Sequence, residues 1–432
     1  MSTKSTADLA RFSENRFGMF IHWGLYSMFG GGEWLRNEKR ISNEEQQKYF
    51  DNWNPRLFNP KAWAQAARKA GMRYVVVTSK HHEGFCLWDS KFTCDKAPNT
   101  PFGRDALREI VDAFRAEGLR IGLYYSLIDW QHEHYTIDRF HPLRDRPDRD
   151  ELNHVRDLAK YTDYLHNQIR ELLTGYGQID ILWFDFAFPP ENGDLGKGRE
   201  EFRAEELVRM IRTLQPGIIL NNRLDMPEES DIETPEQYTL EEPLRDKDGC
   251  LLAWEGCHTV SGAWCYHFAQ DASWKSPRQC LNLLIDYVSA NGNLLLNVGP
   301  TSLGEIDPRS QESLDFIAKW MRMHSDSIYG CGCAPESFVA PRDCRYTYNA
   351  STRRLFLHIM NWPFKFITLK GLSDKIAYAQ FLHDGTELCL LDERKVEAHP
   401  HLQKRIPKGA AVLELPIQKP DVEIPVIELR LR

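Results

Sequence analysis

Five short apolar runs in this chain each end in side chains able to do chemistry. The first ends in His22-Trp23 and the second in Lys80-His81-His82-Glu83. The third passes through Tyr124-Tyr125-Ser126 to Asp129-Trp130, the fourth ends Trp183-Phe184-Asp185, and the fifth Asn221-Asn222-Arg223. A scaffold has no reason to collect such groups at one end of its strands. In a parallel α/β barrel that end is where catalysis is built. Asp after a strand is most often a helix N-cap, but Phe186-Ala187-Phe188-Pro189-Pro190 does not read as a helix start. Asp185 therefore stays open to a chemical role. If the chemistry is glycoside hydrolysis, it needs a second carboxyl group. The stretch downstream offers Asp225, Glu228, Glu229, Asp231, Glu233, Glu236 and Glu255, and periodicity does not choose among them. The His81-His82 doublet has the right ligand type for zinc. Adjacent strand residues point to opposite faces, however, and no HExxH or CxxC accompanies the pair, so no metal and no cofactor is expected.

These groups need a frame to hold them. Phe17–Trp23, Tyr74–Thr78, Arg120–Ser126, Ile179–Asp185, Gly217–Asn221 and Asn293–Val298 are too short for helices and bounded by Gly or polar residues, as strands are. Helical patterns lie between them. One opens at Asn59-Pro60 and closes at Gly71, and another covers Asp105–Glu117 before Gly118. Others fit Val155–Leu173, Glu200–Leu214, Pro277–Ala290 and Arg309–His324. Alternation of this kind predicts a parallel sheet with helical crossovers, closed as a (β/α)₈-like barrel over residues 1–335. No GxGxxG follows the first strand, which removes the dinucleotide-binding alternative. Between 222 and 275 only strands near Ile232 and Leu251–Trp254 can be placed, so the barrel is expected to be irregular there. After Pro335 the pattern turns to short alternating segments such as RLFLHIMNWP, KIAYAQFL and PVIELRL. They predict an antiparallel β-sandwich over 336–432.

Composition narrows the class. With 42% hydrophobic and 27% charged residues the chain is of the soluble globular kind. A net charge of −8 argues against a nucleic-acid partner, and no apolar run of 18 residues offers a membrane span. The beginning, MSTKSTADLARFSENRFG, has no apolar stretch of the secretory type, which leads to an expected cytoplasmic location. The ten scattered cysteines, a Cys331/Cys333 CxC included, read as free thiols. The oligomeric state stays open, a homo-oligomer included.

Together these segments resemble glycoside hydrolase family 29, the α-L-fucosidases. The likeness rests on FGMFIHWGLYS (17–27), AGMRYVVVTSKHHEGFCLWDS (70–90), GLYYSLIDW (122–130), ILWFD (181–185), DIETPE (231–236), Trp254-Glu255, AWCY (263–266) and NGNLLLNVGP (291–300). It covers residues 10 to 335. The resemblance implies a retaining exo-glycosidase acting on fucosylated oligosaccharides or glycoconjugates, with Asp185 as nucleophile and Glu236 as acid/base. Glu255 and Glu33 are the alternatives for the second role. It further implies that His22, His81 and His82 hold sugar hydroxyls, that Glu33 and Trp34 reach the sugar from a loop, that Tyr125, Trp183 and Arg223 contact it, and that Trp264 faces the fucose methyl. The sequence departs from the family pattern at Cys265, where Gly is usual, and at Phe186–Phe188, where a small residue commonly follows the nucleophile. Those departures keep a related α-L-galactoside or α-L-glucoside in view as substrate, and from a different class a carbohydrate-binding homologue without turnover is the other alternative.

Overall fold

A computed structural model describes residues 6–190, 196–268, 273–391 and 408–432. Seven strands form one sheet: β1 (Phe17–Ile21), β2 (Tyr74–Lys80), β3 (Arg120–Ser126), β4 (Ile181–Asp185), β5 (Ile219–Leu220), β6 (Glu255–Thr259) and β7 (Asn293–Val298). Their order is β5-β4-β3-β2-β1-β7-β6, and every neighbouring pair is parallel. The remaining gap, between β5 and β6, is closed by a stretch that is not a regular strand. Ile232 bridges Asn221 at the end of β5, while Glu233 bridges Trp254 and Glu236 bridges Cys257 on the β6 side. Its backbone donates to β5, Asp231 N to Leu220 O (2.8 Å), and accepts from the β6 side, Glu255 N to Glu233 O (2.9 Å) and Cys257 N to Pro235 O (3.1 Å). Pro235 has no N–H to give, which is why the stave stays irregular. Eight staves thus complete the barrel.

Side-chain parity divides each strand between two cores. Phe20, Tyr74, Val76, Tyr124, Ile181, Trp183, Ile219, Ile232, Cys257 and Leu295 fill the barrel interior. Their neighbours Met19, Val75, Leu123, Tyr125, Leu182, Phe184 and Leu296 face the helices. Burial on both faces explains the unbroken apolar runs. The helices carry the expected ends. Asn59 accepts from Ala62 N ahead of Pro60–Lys69, Asp105 from Arg108 N ahead of Ala106–Ala116, and Ser276 and Gln279 form a capping box on Pro277–Ser289. Two differences from the sequence reading stand out. The Leu251–Trp254 expectation is displaced, because β6 begins at Glu255. A helix at Asn43–Phe50, opened by a Ser42/Glu45 capping box, has no counterpart in the sequence reading; only Gln46 on it is buried, so it lacks an apolar stripe to read.

The C-terminal part has two antiparallel sheets. Strands β8 (Cys344–Asn349), β9 (Arg354–Ile359), β11 (Ile376–Phe381) and β14 (Val426–Leu431) form one, and β10 (Phe366–Leu369), β12 (Leu390–Leu391) and β13 (Ala411–Glu414) the other. Leu355, Leu357 and Ile359 on β9 face the sandwich core, whereas Phe356 joins the core of the barrel. Among the described residues no two cysteines are joined in a disulfide. Among the described residues no helix is long and apolar enough to cross a membrane.

Candidate active site

At the C-terminal mouth of the barrel a cavity of about 140 Å³ is lined by His22, Glu33, Trp34, His81, Tyr124, Trp183, Asp185, Phe186, Phe188, Arg223, Glu236 and Trp264, with Phe20 and Cys257 at its floor. The strand ends supply most of these groups. Asp185 is the last residue of β4 and is in register with Ser126 of β3, one inward position above the Tyr124–Trp183 pair. Tyr124 Oη donates to Asp185 Oδ2 at 3.0 Å. Arg223 Nη1 donates both to Asp185 Oδ1 at 3.1 Å and to Glu236 Oε2 at 2.7 Å. Because one nitrogen holds both oxygens, their separation cannot exceed the sum of those distances. A closest approach of that size is compatible with the roughly 5–5.5 Å spacing of a retaining pair. Arg223 is itself fixed on the eighth stave, donating to Thr234 O at 3.0 Å and Thr234 Oγ1 at 3.2 Å, and it lies over the Trp183 ring at 4.6 Å.

Electrostatics follow from this packing. Burial pushes the Asp185 carboxyl up, while the Arg223 charge and hydrogen bond and the Tyr124 hydroxyl pull it back. Burial opposes the Arg223 charge, but Asp185, then Cys257 and Glu236, outweigh it and raise its affinity for the proton. Glu33 is buried, its carboxyl pushed up by that burial, and its Oε2 accepts from Cys265 N at 3.2 Å. The residue after Asp185 is strained: Phe186 has φ +74°, in the left-handed region a bulky residue avoids. Strain beside a reactive group is a recurring feature of functional sites.

The histidines adopt distinct states. Asn297 Nδ2 donates to Trp264 O at 2.6 Å, so its Oδ1 is an acceptor and takes the His22 Nδ1–H at 2.7 Å. His22 Nε2 is then a lone pair available to the cavity, and burial holds this ring's pKa near 3. His81 Nδ1 is enclosed without a hydrogen bond, 3.8 Å from the Glu83 Oε2. Burial pushes Glu83 up to about 8, so it is a neutral acid at pH 7. Gly84 makes the turn after it at φ +90°, where a Cβ would collide with the Asp129 carboxylate. Among the described residues, His81, His82 and Glu83 are the one group whose ligating atoms approach within 4.8 Å of one another.

Three residues expected at the site from the sequence lie elsewhere. Tyr125 does not reach the cavity. It faces the helices, donating to Gln168 Oε1 at 2.7 Å under the Lys80 ammonium, and its neighbour Tyr124 takes the inward place. His82 does not line the cavity: both histidines lie beyond the end of β2 rather than on the strand, so they do not part to opposite faces, and the His82 ring packs 3.8 Å from that of His81, stacked on Trp130 at 3.9 Å and 4.9 Å from Trp34. Glu255 lies deep in the barrel with no exposed surface, accepting from Tyr74 Oη and from Trp183 Nε1 (3.3 Å), and does not line the cavity. The other candidates, His22, Glu33, Trp34, His81, Trp183, Asp185, Arg223, Glu236 and Trp264, are brought together. Sequence reasoning misses Tyr124 and Asn297 as site residues. Parity with Asp185 points to Tyr124, and Asn297 stands near the end of a strand, as the other site groups do.

Comparison with known proteins agrees with this geometry. A family model described as alpha-L-fucosidase matches residues 1–326. The chain is similar to alpha-L-fucosidase isoenzyme 1 from Paenibacillus thiaminolyticus, at 42% identity and a TM-score of 0.90 over 98% of this chain and 99% of that one. It is similar, at 27% identity and a TM-score of 0.83 over 100% and 98%, to a Bacteroides thetaiotaomicron alpha-L-fucosidase trapped as a covalent intermediate with 2-fluoro-fucosyl fluoride. Human plasma alpha-L-fucosidase is 29% identical over 387 residues, 82% of this chain and 76% of its own. With a barrel of this topology, a paired-carboxyl cavity at its mouth and these matches, the chain belongs to the α-L-fucosidase family.

Proposed function

We propose that this protein is a retaining α-L-fucosidase in which Asp185 is the nucleophile and Glu236 the acid/base. One observation carries the assignment: the single Arg223 nitrogen that spans Asp185 and Glu236. Asp185 attacks the anomeric carbon while Glu236 gives a proton to the departing oxygen. Water, deprotonated by the same Glu236, then releases fucose with its configuration retained. The glycosidic oxygen takes over the place on Glu236 Oε2 that Arg223 Nη1 now holds. Tyr124 and Arg223 remain as donors to the Asp185 carboxylate and keep it aimed. Around the sugar, His22 Nε2 accepts from a hydroxyl, and the Trp264 ring, 5.1 Å from His22, offers an apolar wall for the C5 methyl. Fucosylated glycans are the substrate class. The test is release of sugar from a panel of aryl α-L-glycosides with the product anomer followed by NMR. α-L-Fucose appearing first from the fucoside supports the reading. Faster cleavage of an α-L-galactoside, or first release of the β-anomer, overturns it.

A further inference from the structure

The loop after Asp185 carries an aromatic ring that the fucose site as described leaves without a role. Phe188 lines the same cavity as Asp185 and Glu236, yet 38% of it is exposed, so it stands at the rim rather than in the core. The Glu236 side chain is 39% exposed, which puts the proton donor at the mouth as well. Whatever is attached to the departing oxygen must therefore lie along this rim.

Phe188 is an unusually well supported exposed ring. Its N–H donates to Lys197 O at 2.8 Å. Lys197 is buried, and its ammonium donates to Asp138 Oδ2 at 2.6 Å and Thr136 O at 3.0 Å and sits 4.1 Å from the centre of the Tyr135 ring. Gly196 allows the two sides of the loop to meet, since a Cβ there would strike the Phe188 carbonyl. Phe140 backs the ring at 5.2 Å and Phe186 at 6.1 Å, and the Arg139 guanidinium lies 5.4 Å from its centre. Phe268 is more exposed, at 66%, but does not line the cavity. A flat apolar surface held this stiffly loses little freedom when a partner stacks on it. The C–H face of a pyranose is such a partner, apolar in its centre and polar at its edge, as the rim around Phe188 is.

We propose that Phe188 is the platform of a leaving-group subsite, on which the pyranose joined to fucose stacks during cleavage. This rests on the fucosidase reading and names where the second sugar binds. The test compares wild type, Phe188→Ala and Phe188→Tyr on two substrates: α-L-fucosyl fluoride, which has no second ring, and whichever fucosylated disaccharide of a panel the wild type cleaves fastest. Loss of one stacking contact predicts a fall of roughly tenfold in kcat/KM for Phe188→Ala on the disaccharide. On the fluoride its kcat/KM should stay within about twofold of wild type, and Phe188→Tyr should behave as wild type on both. Equal loss on both substrates, or no loss on the disaccharide, overturns the subsite. So does a wild type that cleaves the fluoride and no disaccharide. A wild type inactive on the fluoride itself defeats the fucosidase reading instead.

Discussion

His22 at the barrel mouth and His324 and His358 at the joint between barrel and sandwich are all buried, and each has one ring nitrogen committed. His22 gives its Nδ1–H to Asn297. His324 gives its Nδ1–H to Trp320 O at 3.0 Å. Thr347 Oγ1 donates to Ser327 O and so accepts from His358 Nε2 at 2.9 Å. Burial depresses all three, His22 and His358 to about 3 and His324 to about 4. What differs is the second nitrogen. In His22 it opens on a cavity shared with the carboxyl groups of Glu33, Asp185 and Glu236. In His324 and His358 it is a lone pair sealed in packed surroundings without a partner, with His383 the nearest further imidazole to His324. Depressed basicity therefore marks burial in both places, and only access to a cavity with a nucleophile turns it into chemistry.

Four experiments press on that contrast. The largest effect belongs to the mouth. Asp185→Gly should lower turnover of an aryl α-L-fucoside by several orders of magnitude with an unchanged melting temperature, and added azide should restore part of it. Substantial turnover without azide would remove Asp185 from the role. Glu236→Ala comes next: substrates with poor leaving groups should suffer heavily, and those with acidic phenols much less, since a stable anion departs unaided. If both classes lose equally, Glu33 is the first replacement to test, because it lines the cavity and Glu255 does not.

The joint should answer to acid rather than to substrate. His324 and His358 have folded pKa values below the unfolded 6.5, so the stability they contribute is full above 6.5 and is lost as pH falls toward 4. The loss is on the order of 3 kcal/mol for each by pH 4. His358→Gln should flatten part of that acid slope in urea titrations while leaving kcat/KM within about twofold. An unchanged slope would show that the joint opens before the histidine is reached. The smallest effect is expected at Glu83, whose raised pKa runs the opposite way. Its contribution is full below 4.5 and is lost as pH rises through about 8. Glu83→Gln imitates the neutral acid, so kcat/KM should change by less than about twofold at pH 6. Above pH 8 wild type should decline more than the variant, and parallel profiles would separate Glu83 from the state of His81.

Much of this architecture is legible in the chain itself. The βα alternation, the capped helices at Asn59-Pro60 and Asp105, and the shift to short alternating segments after Pro335 are local properties, set by propensity, capping and period. The collection of polar groups at strand ends is equally local, and with the rule that a barrel builds its site at that end it puts Asp185 among the candidates. Direction across the sheet is another matter. Tyr124 and Tyr125 are chemically the same, and a run buried on both faces has no alternation to tell them apart. Only pairing with β4, through hydrogen bonds to residues some sixty positions away, turns Tyr124 toward Asp185. The two glutamates are separated in the same way. Glu236 rides on a stave that Pro235 keeps from looking like a strand, and Glu255 opens a regular one. Their heights in the barrel, one at the mouth and one sealed under Trp183, come from register between β5, that stave and β6. Residue type and period are written locally; which face and which level each carboxyl occupies is decided by long-range pairing, because a strand's side-chain direction has no meaning until its neighbours are in place.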